Sequence, residues 1–215
     1  MTPNLLLFLA IGTILMGIPI VLVAKRHKVP VWKGGLVTFL LTIVGTLGTF
    51  LMFYIENCAW GGLSFYGAVF FVPIAFGAAS LILRISYAKV MDMCAIGECI
   101  MLALMKVHCI LSGCCIGRVL FHTADGVPVL FPSREVELIT ALVLFVLLFY
   151  WGIKGKHCGR IYAYYLLLYG SSRFVLNIFR EAWTTSEMIL PYGNIWSLVA
   201  IVLGLAWLLY LKRSN

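Results

Sequence analysis

The chain has 215 residues, of which 63% are hydrophobic and only 11% are charged, and its mean hydropathy is +1.05. These values lie outside the range of a soluble globular protein and predict an integral membrane protein. The formal net charge is +8, but the cations stand in short clusters between apolar runs, which is typical of a membrane surface and argues against a nucleic-acid partner. The seven cysteines are an odd number and mostly lie in or beside apolar stretches, which argues against a disulfide-rich secreted fold.

Seven apolar runs are long enough to cross the hydrocarbon core, which takes about 20 helical residues. In chain order they are Leu5–Ala24, Trp32–Ile55, Leu63–Ile85, Val90–Leu111, Val136–Ile153, Ile161–Phe179 and Ile195–Leu211. A basic cluster follows the first run and no small-residue cleavage pattern stands out, so we expect a retained span rather than a signal peptide. The sequence therefore predicts an all-α, polytopic membrane protein with seven transmembrane helices in a single domain over residues 1–215.

The distribution of basic residues predicts the orientation of these spans. Eleven of the sixteen cations follow the odd-numbered spans: Lys25, Arg26, Lys28, Lys33, Arg84, Lys89, Lys154, Lys156, Arg160, Lys212 and Arg213. By the positive-inside rule, this places the N-terminus outside and the C-terminus in the cytoplasm. The longest outer connection, about Gly113 to Arg134, contains no apolar run long enough to be buried in the membrane, so we expect a polar surface loop.

The sixth span carries a polar stripe at helical spacing. Its members recur every three or four residues: Tyr162, Tyr165, Tyr169, Arg173, Asn177 and Arg180. Because ionisable groups at the centre of a membrane cost at least about 2.5–3.5 kcal/mol, such a stripe is expected to face the interior of the bundle. Arg173 then either pairs with a buried acid for packing or serves a functional site.

The fourth span is the least apolar, and the densest chemistry of the chain follows it. Lys106 lies inside the span, and the segment from His108 to Arg118 holds Cys109, Cys114, Cys115 and three further polar or glycine positions. Adjacent cysteines make poor chelates, and no second Cys/His cluster completes a tetrahedral set, so no metal site is predicted. A disulfide, reactive thiols near the cations, and small hydrophobic packing residues all remain open.

Four blocks occur in an order that resembles one known family. They are Gly61-Gly62-Leu63-Ser64-Phe65-Tyr66-Gly67, Lys106 through Gly117-Arg118, Phe131-Pro132-Ser133-Arg134-Glu135-Val136-Glu137, and Gly159-Arg160 through Leu168-Tyr169-Gly170-Ser171-Ser172-Arg173-Phe174, ending Phe179-Arg180-Glu181. Together they resemble the prolipoprotein diacylglyceryl transferases of bacteria. The chain differs from the family pattern at five positions: Tyr66 replaces His, Lys106 Arg, Cys109 Asn, Cys114 Glu and Asn177 Glu.

The resemblance implies a membrane enzyme that moves a diacylglyceryl group from phosphatidylglycerol, or another anionic phospholipid, to the cysteine thiol of a prolipoprotein. It implies action at the outer face of the bacterial cytoplasmic membrane, and no cofactor is expected. The residues predicted to bind substrate are Tyr66, Lys106, Gly117, Arg118, Arg180 and Glu181. Those predicted to take part in the chemistry are His108 as a base, Cys109, Cys114 and Arg173. The alternative is a catalytically altered relative that binds or transports lipid, or that lipidates a different acceptor.

Overall fold

The computed structural model describes residues 3–180 and 191–213, with side chains from residue 5 onward. Within these ranges the chain forms seven helices and one β-hairpin. They are α1 (Pro3–Arg26), α2 (Val31–Asn57), α3 (Tyr66–Leu83), α4 (Tyr87–Ser112), β1 (Val119–His122), β2 (Pro128–Leu130), α5 (Ser133–Lys154), α6 (Ile161–Ile178) and α7 (Tyr192–Arg213).

The predicted helical class and all seven predicted helical segments are confirmed, with boundaries that shift by only a few residues. Six of the helices are long and apolar enough to cross a membrane, whereas α6 fails the same test. The reason is composition, since α6 has 18 residues and carries four tyrosines, Arg173 and Asn177. A helix of this polarity needs protein rather than lipid around it, and the buried side chains of α6 meet that need.

Helix α4 lies at the centre of the bundle, where it packs against α1, α2, α3, α5 and α6. It is the least apolar of the six long spans, yet its Asp92, Glu98 and Lys106 are all buried. Polar groups at membrane depth need protein partners, so the helix with the most ionisable side chains takes the position with the most neighbours.

Two glycines let α2 and α3 approach closely. A Cβ atom built on Gly67 would lie 1.9 Å from the carbonyl oxygen of Gly48, which is far inside van der Waals contact. Small residues at helix crossings are the usual device for such packing in membranes. Because Gly67 follows Tyr66 at the first turn of α3, this contact also fixes the position of Tyr66.

The connection between α4 and α5 is exposed as predicted, but it is not an irregular loop. Strands β1 and β2 pair antiparallel, with Val119 opposite Leu130 and His122 opposite Pro128. The turn ends at Gly126, whose φ of +78° suits glycine, and the Gly126 amide donates a hydrogen bond to the Thr123 carbonyl oxygen at 2.9 Å. An Asp-Gly turn between β-formers predicts such a hairpin, and this signal was outweighed by the polar composition of the turn itself.

The helices alternate in direction, so the bundle has two chemically different ends. At one end, the Lys33 ammonium group donates a hydrogen bond to the Leu83 carbonyl oxygen at 2.7 Å, and the Lys89 ammonium group donates one to the His27 carbonyl oxygen at 3.2 Å. We call this the basic end, because the connections that meet there carry the eleven clustered cations. The opposite end, called here the site end, holds the hairpin, the last turns of α4 and α6 and the first turns of α3 and α5.

Candidate functional site

A buried carboxylate joins three helices at the site end. Glu137, in α5, forms ion pairs with Lys106 of α4 and with Arg173 of α6. The side chains are 4%, 9% and 13% exposed respectively, so the three charges share one poorly hydrated region. Arg173 therefore does pair with a buried acid. The ion-paired triad has two cations for one carboxylate, which leaves it a surplus charge of +1, and Glu56 of α2 is a further acid close enough to act on Arg173.

The local sequence explains why Glu137 reaches this position. Helix α5 begins at Ser133, and Glu137 follows one turn later on the same face. The Ser133 hydroxyl group, which is buried, donates a hydrogen bond to the Cys115 carbonyl oxygen at 2.9 Å. The first turn of α5 is thus held against the segment that leaves α4, which sets Glu137 opposite Lys106.

A narrow cavity of about 10 Å³, enough for roughly one water molecule, lies against the ion pair of Glu137 and Arg173. Its walls combine the charged pair of Glu137 and Arg173 with hydroxyl and aliphatic side chains. The lining residues are Leu102, Glu137, Thr140, Tyr169, Ser172, Arg173 and Leu176. Charged groups inside a membrane bundle usually face a partner, a cavity or a substrate, and here Arg173 and Glu137 face both each other and this narrow cavity.

The tyrosine stripe of α6 faces the interior of the bundle, as predicted. Tyr162, Tyr165 and Tyr169 are at most 2% exposed, and the rings of the last two stack with centroids 5.5 Å apart. The Tyr162 hydroxyl group donates a hydrogen bond to the Val69 carbonyl oxygen at 2.8 Å. Tyr66 lies next in this row, since its ring is 5.7 Å from that of Tyr169.

The hydroxyl group of Tyr66 is already engaged. It lies 2.5 Å from the Ser197 hydroxyl oxygen of α7, and both groups are buried. This hydrogen bond links the first turn of α3 to α7 and points away from bulk water. The structure therefore places Tyr66 beside the tyrosine stripe, close to the charged cavity, as part of the wall between α3, α6 and α7.

The three cysteines after Lys106 converge at the end of α4. The helix stops at Gly113, whose φ is +68°, and the Cys114 amide donates a hydrogen bond to the Cys109 carbonyl oxygen at 3.2 Å. Cys115 is also left-handed, with φ +60°. As a result the sulfur atoms of Cys109 and Cys115 lie 3.7 Å apart, and all three sulfurs lie within 4.8 Å of one another.

The surroundings favour a thiolate at this cluster. The hydrogen bond between the Cys109 and Cys115 sulfurs, together with the positive charges of Lys106 and Arg180, lowers the pKa of Cys115 below its usual range, against the opposing effect of burial. A thiolate is the form of cysteine that attacks carbon and binds metal ions. All three side chains are free thiols.

Gly117 and Arg118 connect this segment to the end of α6. Gly117 forms an antiparallel bridge with Arg180, and the Arg118 amide donates a hydrogen bond to the Phe179 carbonyl oxygen at 3.0 Å. The Arg118 guanidinium carbon lies 5.0 Å from the centre of the Phe179 ring. A Cβ atom at Gly117 would lie 2.0 Å from the Phe131 carbonyl oxygen, so only glycine fits. Arg118 and Arg180 are thereby brought to the same end of the bundle as Lys106 and Arg173.

The structure places His108 apart from this group. Its ring contacts Phe8 of α1 edge to face, with centroids 5.1 Å apart, and its Nε2 atom lies 3.5 Å from the Ser112 hydroxyl oxygen. Among the described residues, none of its hydrogen bonds reaches a cysteine or an ion pair. The assignment of His108 as a base stays a prediction. The predicted substrate-binding residue Glu181 lies outside the described residues.

Sequence reasoning missed two acids at the site end. Glu137 is the last residue of the third sequence block, and only its position in that block singled it out from other acids. Glu56, near the end of α2, accepts a hydrogen bond from the Ser64 hydroxyl group at 2.8 Å. Both lie close to helix ends, where acids usually reach solvent, so no local pattern predicts that their side chains are directed into the bundle.

Six helices long and apolar enough to span a membrane define a polytopic membrane protein, and a cluster of cationic side chains lies at one end of its bundle. The family model "Prolipoprotein diacylglyceryl transferase" matches residues 7–210. The chain belongs to this family, which confirms the resemblance read from the four sequence blocks. It is also similar to phosphatidylglycerol–prolipoprotein diacylglyceryl transferase 2 of Clostridium perfringens (strain 13 / Type A), with 24% identity over 155 residues. That match covers 67% of this chain and 60% of the relative, less than two thirds of its length.

Proposed function

We propose that the chain is a membrane transferase that moves a diacylglyceryl group from phosphatidylglycerol to the thiol of a prolipoprotein cysteine. Membership of a transferase family supports this reaction class. We further propose that residues 1–215 act as one membrane domain in the bacterial cytoplasmic membrane, with the N-terminus outside. The gathering of eleven cations at the basic end supports this orientation, because basic connections face the cytoplasm. The site end then opens toward the outer leaflet.

The surplus charge of the buried triad is the observation that carries the proposal. Lys106 and Arg173 share the single carboxylate of Glu137, and Arg173 and Glu137 border a narrow cavity with partly apolar walls. An anionic phosphate group would balance the remaining charge, and its acyl chains would stay in lipid. Lys106 differs from the family's Arg in that it lacks the two-pronged geometry for phosphate, so Arg173 is expected to supply the better defined contacts.

The cations at the site end also suit the chemistry of diacylglyceryl transfer. The acceptor thiolate attacks a glycerol carbon of the phospholipid, the carbon–oxygen bond to phosphate breaks, and glycerol phosphate leaves with the bonding electrons. Negative charge therefore grows on the phosphate oxygen in the transition state. Fixed positive groups in a poorly hydrated site stabilise such charge without reorganisation, and removal of one such group costs about 10²–10³ in rate. We assign this role to Arg173, with Lys106, Arg118 and Arg180 as further contacts for the headgroup.

The test is transfer by the purified full chain in lipid nanodiscs. Discs that contain phosphatidylglycerol should yield a lipidated lipobox peptide, and discs of phosphatidylcholine alone should not. We expect Arg173→Ala to lower the rate at least about 100-fold. Lys156→Ala, an exposed cation at the basic end, is the matched control and should leave the rate unchanged. Absence of product from the intact chain with phosphatidylglycerol would contradict the proposal.

A second candidate is a lipid-binding or lipid-transport protein that has lost transfer. The observation that favours it is the engagement of Tyr66, whose hydroxyl group is held by Ser197 at the position where the family pattern has His. This candidate predicts phosphatidylglycerol binding that depends on Arg173, without product. A complementation assay in cells depleted of their own transferase separates the two, because only an active enzyme restores lipoprotein maturation.

A further inference from the structure

We propose that Cys109, Cys114 and Cys115 form a zinc site whose fourth position takes the acceptor cysteine as a thiolate. This inference rests on the proposed function, because the site serves the acceptor of that reaction. It assigns the three cysteines a joint role that the sequence did not suggest.

The spacing of the sulfur atoms matches a zinc site. Zinc binds thiolate sulfur at about 2.3 Å in tetrahedral geometry, which places pairs of ligand sulfurs about 3.8 Å apart. The Cys109 and Cys115 sulfurs are 3.7 Å apart, and the Cys114 sulfur lies within 4.8 Å of both. A small rotation of the Cys114 side chain, which is exposed, completes the set.

The backbone removes the objection that adjacent cysteines chelate poorly. In an extended or helical segment, the side chains of residues 114 and 115 would diverge. Here Gly113 and Cys115 both have positive φ, and the chain folds back over the last turn of α4 toward Cys109. Left-handed backbone is unfavourable for a residue with a Cβ atom, and such strain is concentrated at functional sites. The hydrogen bond from Ser133 to the Cys115 carbonyl oxygen holds this conformation.

The number of ligands and the local charge both point to an open site. Catalytic zinc sites use three protein ligands and keep the fourth position for water or substrate, whereas structural sites are closed by four. Three thiolates around Zn²⁺ carry a net charge of −1, and Lys106 and Arg180 act on this region with positive charge. Cys114 is exposed at the end of the bundle, so an acceptor peptide can approach the cluster without entering the lipid-filled part of the site.

The chemistry balances without an oxidant or reductant. The acceptor thiol gives its proton to water and binds zinc through sulfur, which keeps it a thiolate at neutral pH. This sulfur forms the new bond to the glycerol carbon, while the carbon–oxygen bond to phosphate breaks and the electron pair leaves with glycerol phosphate. The product sulfur is then a neutral thioether, which is a weaker ligand for zinc than a thiolate, so product release follows from the reaction itself.

The first experiment measures zinc binding by the full chain in detergent, after reduction and removal of metal with a chelator. A Cys158→Ser background removes the second group of potential ligands, His27, Asp92 and Cys158, at the basic end. We expect one Zn²⁺ per chain. Cys114→Ser or Cys115→Ser should each weaken binding at least about 100-fold, since even residues that only support metal ligands cost 10–100-fold. Cys58→Ser, an exposed cysteine outside the cluster, is the matched control and should bind zinc normally.

The second measurement detects the open position. With Co²⁺ in place of zinc, a short peptide with one cysteine should alter the visible spectrum of the intact chain, and the same peptide with serine should not. Equal zinc affinity in the intact chain and in Cys114→Ser would overturn the inference, as would a Cys109–Cys115 disulfide in protein taken from membranes under alkylating conditions. Metal binding without transfer refutes the proposed function alone, whereas transfer that survives chelation and Cys114→Ser refutes the zinc site alone.

Discussion

The substitution Glu137→Gln tests whether one carboxylate compensates the two buried cations. The change is nearly isosteric, so it leaves the packing of α4, α5 and α6 in place. It removes the negative charge shared by Lys106 and Arg173, whose side chains are only 9% and 13% exposed. The local charge rises from +1 to +2 in a region that water reaches poorly.

The expected loss of stability follows from burial. Removal of one partner from a buried ion pair costs about 3–5 kcal/mol, chiefly because an unpaired charge is left behind. Because Glu137 is 4% exposed and serves two cations, we expect the upper part of that range. For a chain of this length, about 1 kcal/mol corresponds to 2–4 °C in Tm, so the unfolding midpoint should fall by roughly 10–20 °C.

The assay is thermal unfolding of purified variants in one detergent, with Glu135→Gln as the matched control. Glu135 lies two residues away in the same helical turn, its side chain is 44% exposed, and its nearest cation, Arg134, is 3.9 Å away. An exposed pair of this kind contributes at most about 1 kcal/mol. A Lys106→Met partner mutation should recover part of the loss in Glu137→Gln, because neighbouring charges are not additive. If the two Gln variants unfold at the same temperature, Glu137 does not compensate the charges of Lys106 and Arg173.

Three further substitutions test the packing that positions the site. Gly67→Ala should destabilise the chain by about 1–3 kcal/mol in thermal unfolding, because the added Cβ atom would collide with the Gly48 carbonyl oxygen. Gly77→Ala is the control, since a Cβ atom there meets open space, and it should leave the stability unchanged. Asp92→Ala should lower the free energy of unfolding by about 1–3 kcal/mol in the same assay, because the Asp92 carboxylate accepts hydrogen bonds from the Gly159 and Ile161 amides at the start of α6. Asp92→Asn should lower it less, because its side-chain oxygen can still accept one of them. Gly117→Ala should increase protease cleavage within residues 119–130, because the added methyl group would collide with the Phe131 carbonyl oxygen and displace the two segments that enter and leave the hairpin.

The helices could be predicted from sequence because the membrane imposes a simple rule on composition. Each span had to be long, apolar and bounded by charge or turn residues, and the seven predicted segments all form helices. The hairpin was missed for a related reason. Val119, Phe121 and Val127 form a short β-pattern around an Asp-Gly turn, but the polar composition of the turn outweighed this pattern.

The site could be predicted only in part, because its pairings join distant parts of the chain. The stripe of α6 indicated that Arg173 faces inward, and helical spacing alone was enough for that. Its ion-pair partner, Glu137, lies 36 residues earlier in the chain. Its depth in the bundle depends on the hydrogen bond between Ser133 and Cys115, which no local pattern reveals.

The thiol cluster shows a second reason why the site could be predicted only in part from the sequence. Because Cys114 and Cys115 are adjacent, their side chains are expected to point in different directions, as they do in helical and extended backbone. The left-handed conformation of Cys115 reverses the conclusion, yet no residue preference predicts positive φ at a cysteine. Cys58 and Arg84 are also left-handed, at the ends of α2 and α3, so the conformation depends on how the chain leaves a helix rather than on residue preference.

In the proposed reaction, the positions of the thiols and the cations along α4 would let one site receive two unlike substrates. Lys106 lies inside the span, and Cys109 lies one turn nearer the end of the helix, about 4.5 Å further along its axis. The phospholipid donor must keep its chains in lipid and present its phosphate at the depth of Lys106 and Arg173. The acceptor thiol belongs to a polar chain and must arrive from the water side, where Cys114 is exposed. In a displacement at carbon, nucleophile and leaving group stand on opposite sides of the reacting atom. An acceptor sulfur held by the thiol cluster and a phosphate held by the buried cations would satisfy that requirement along the axis of a single helix.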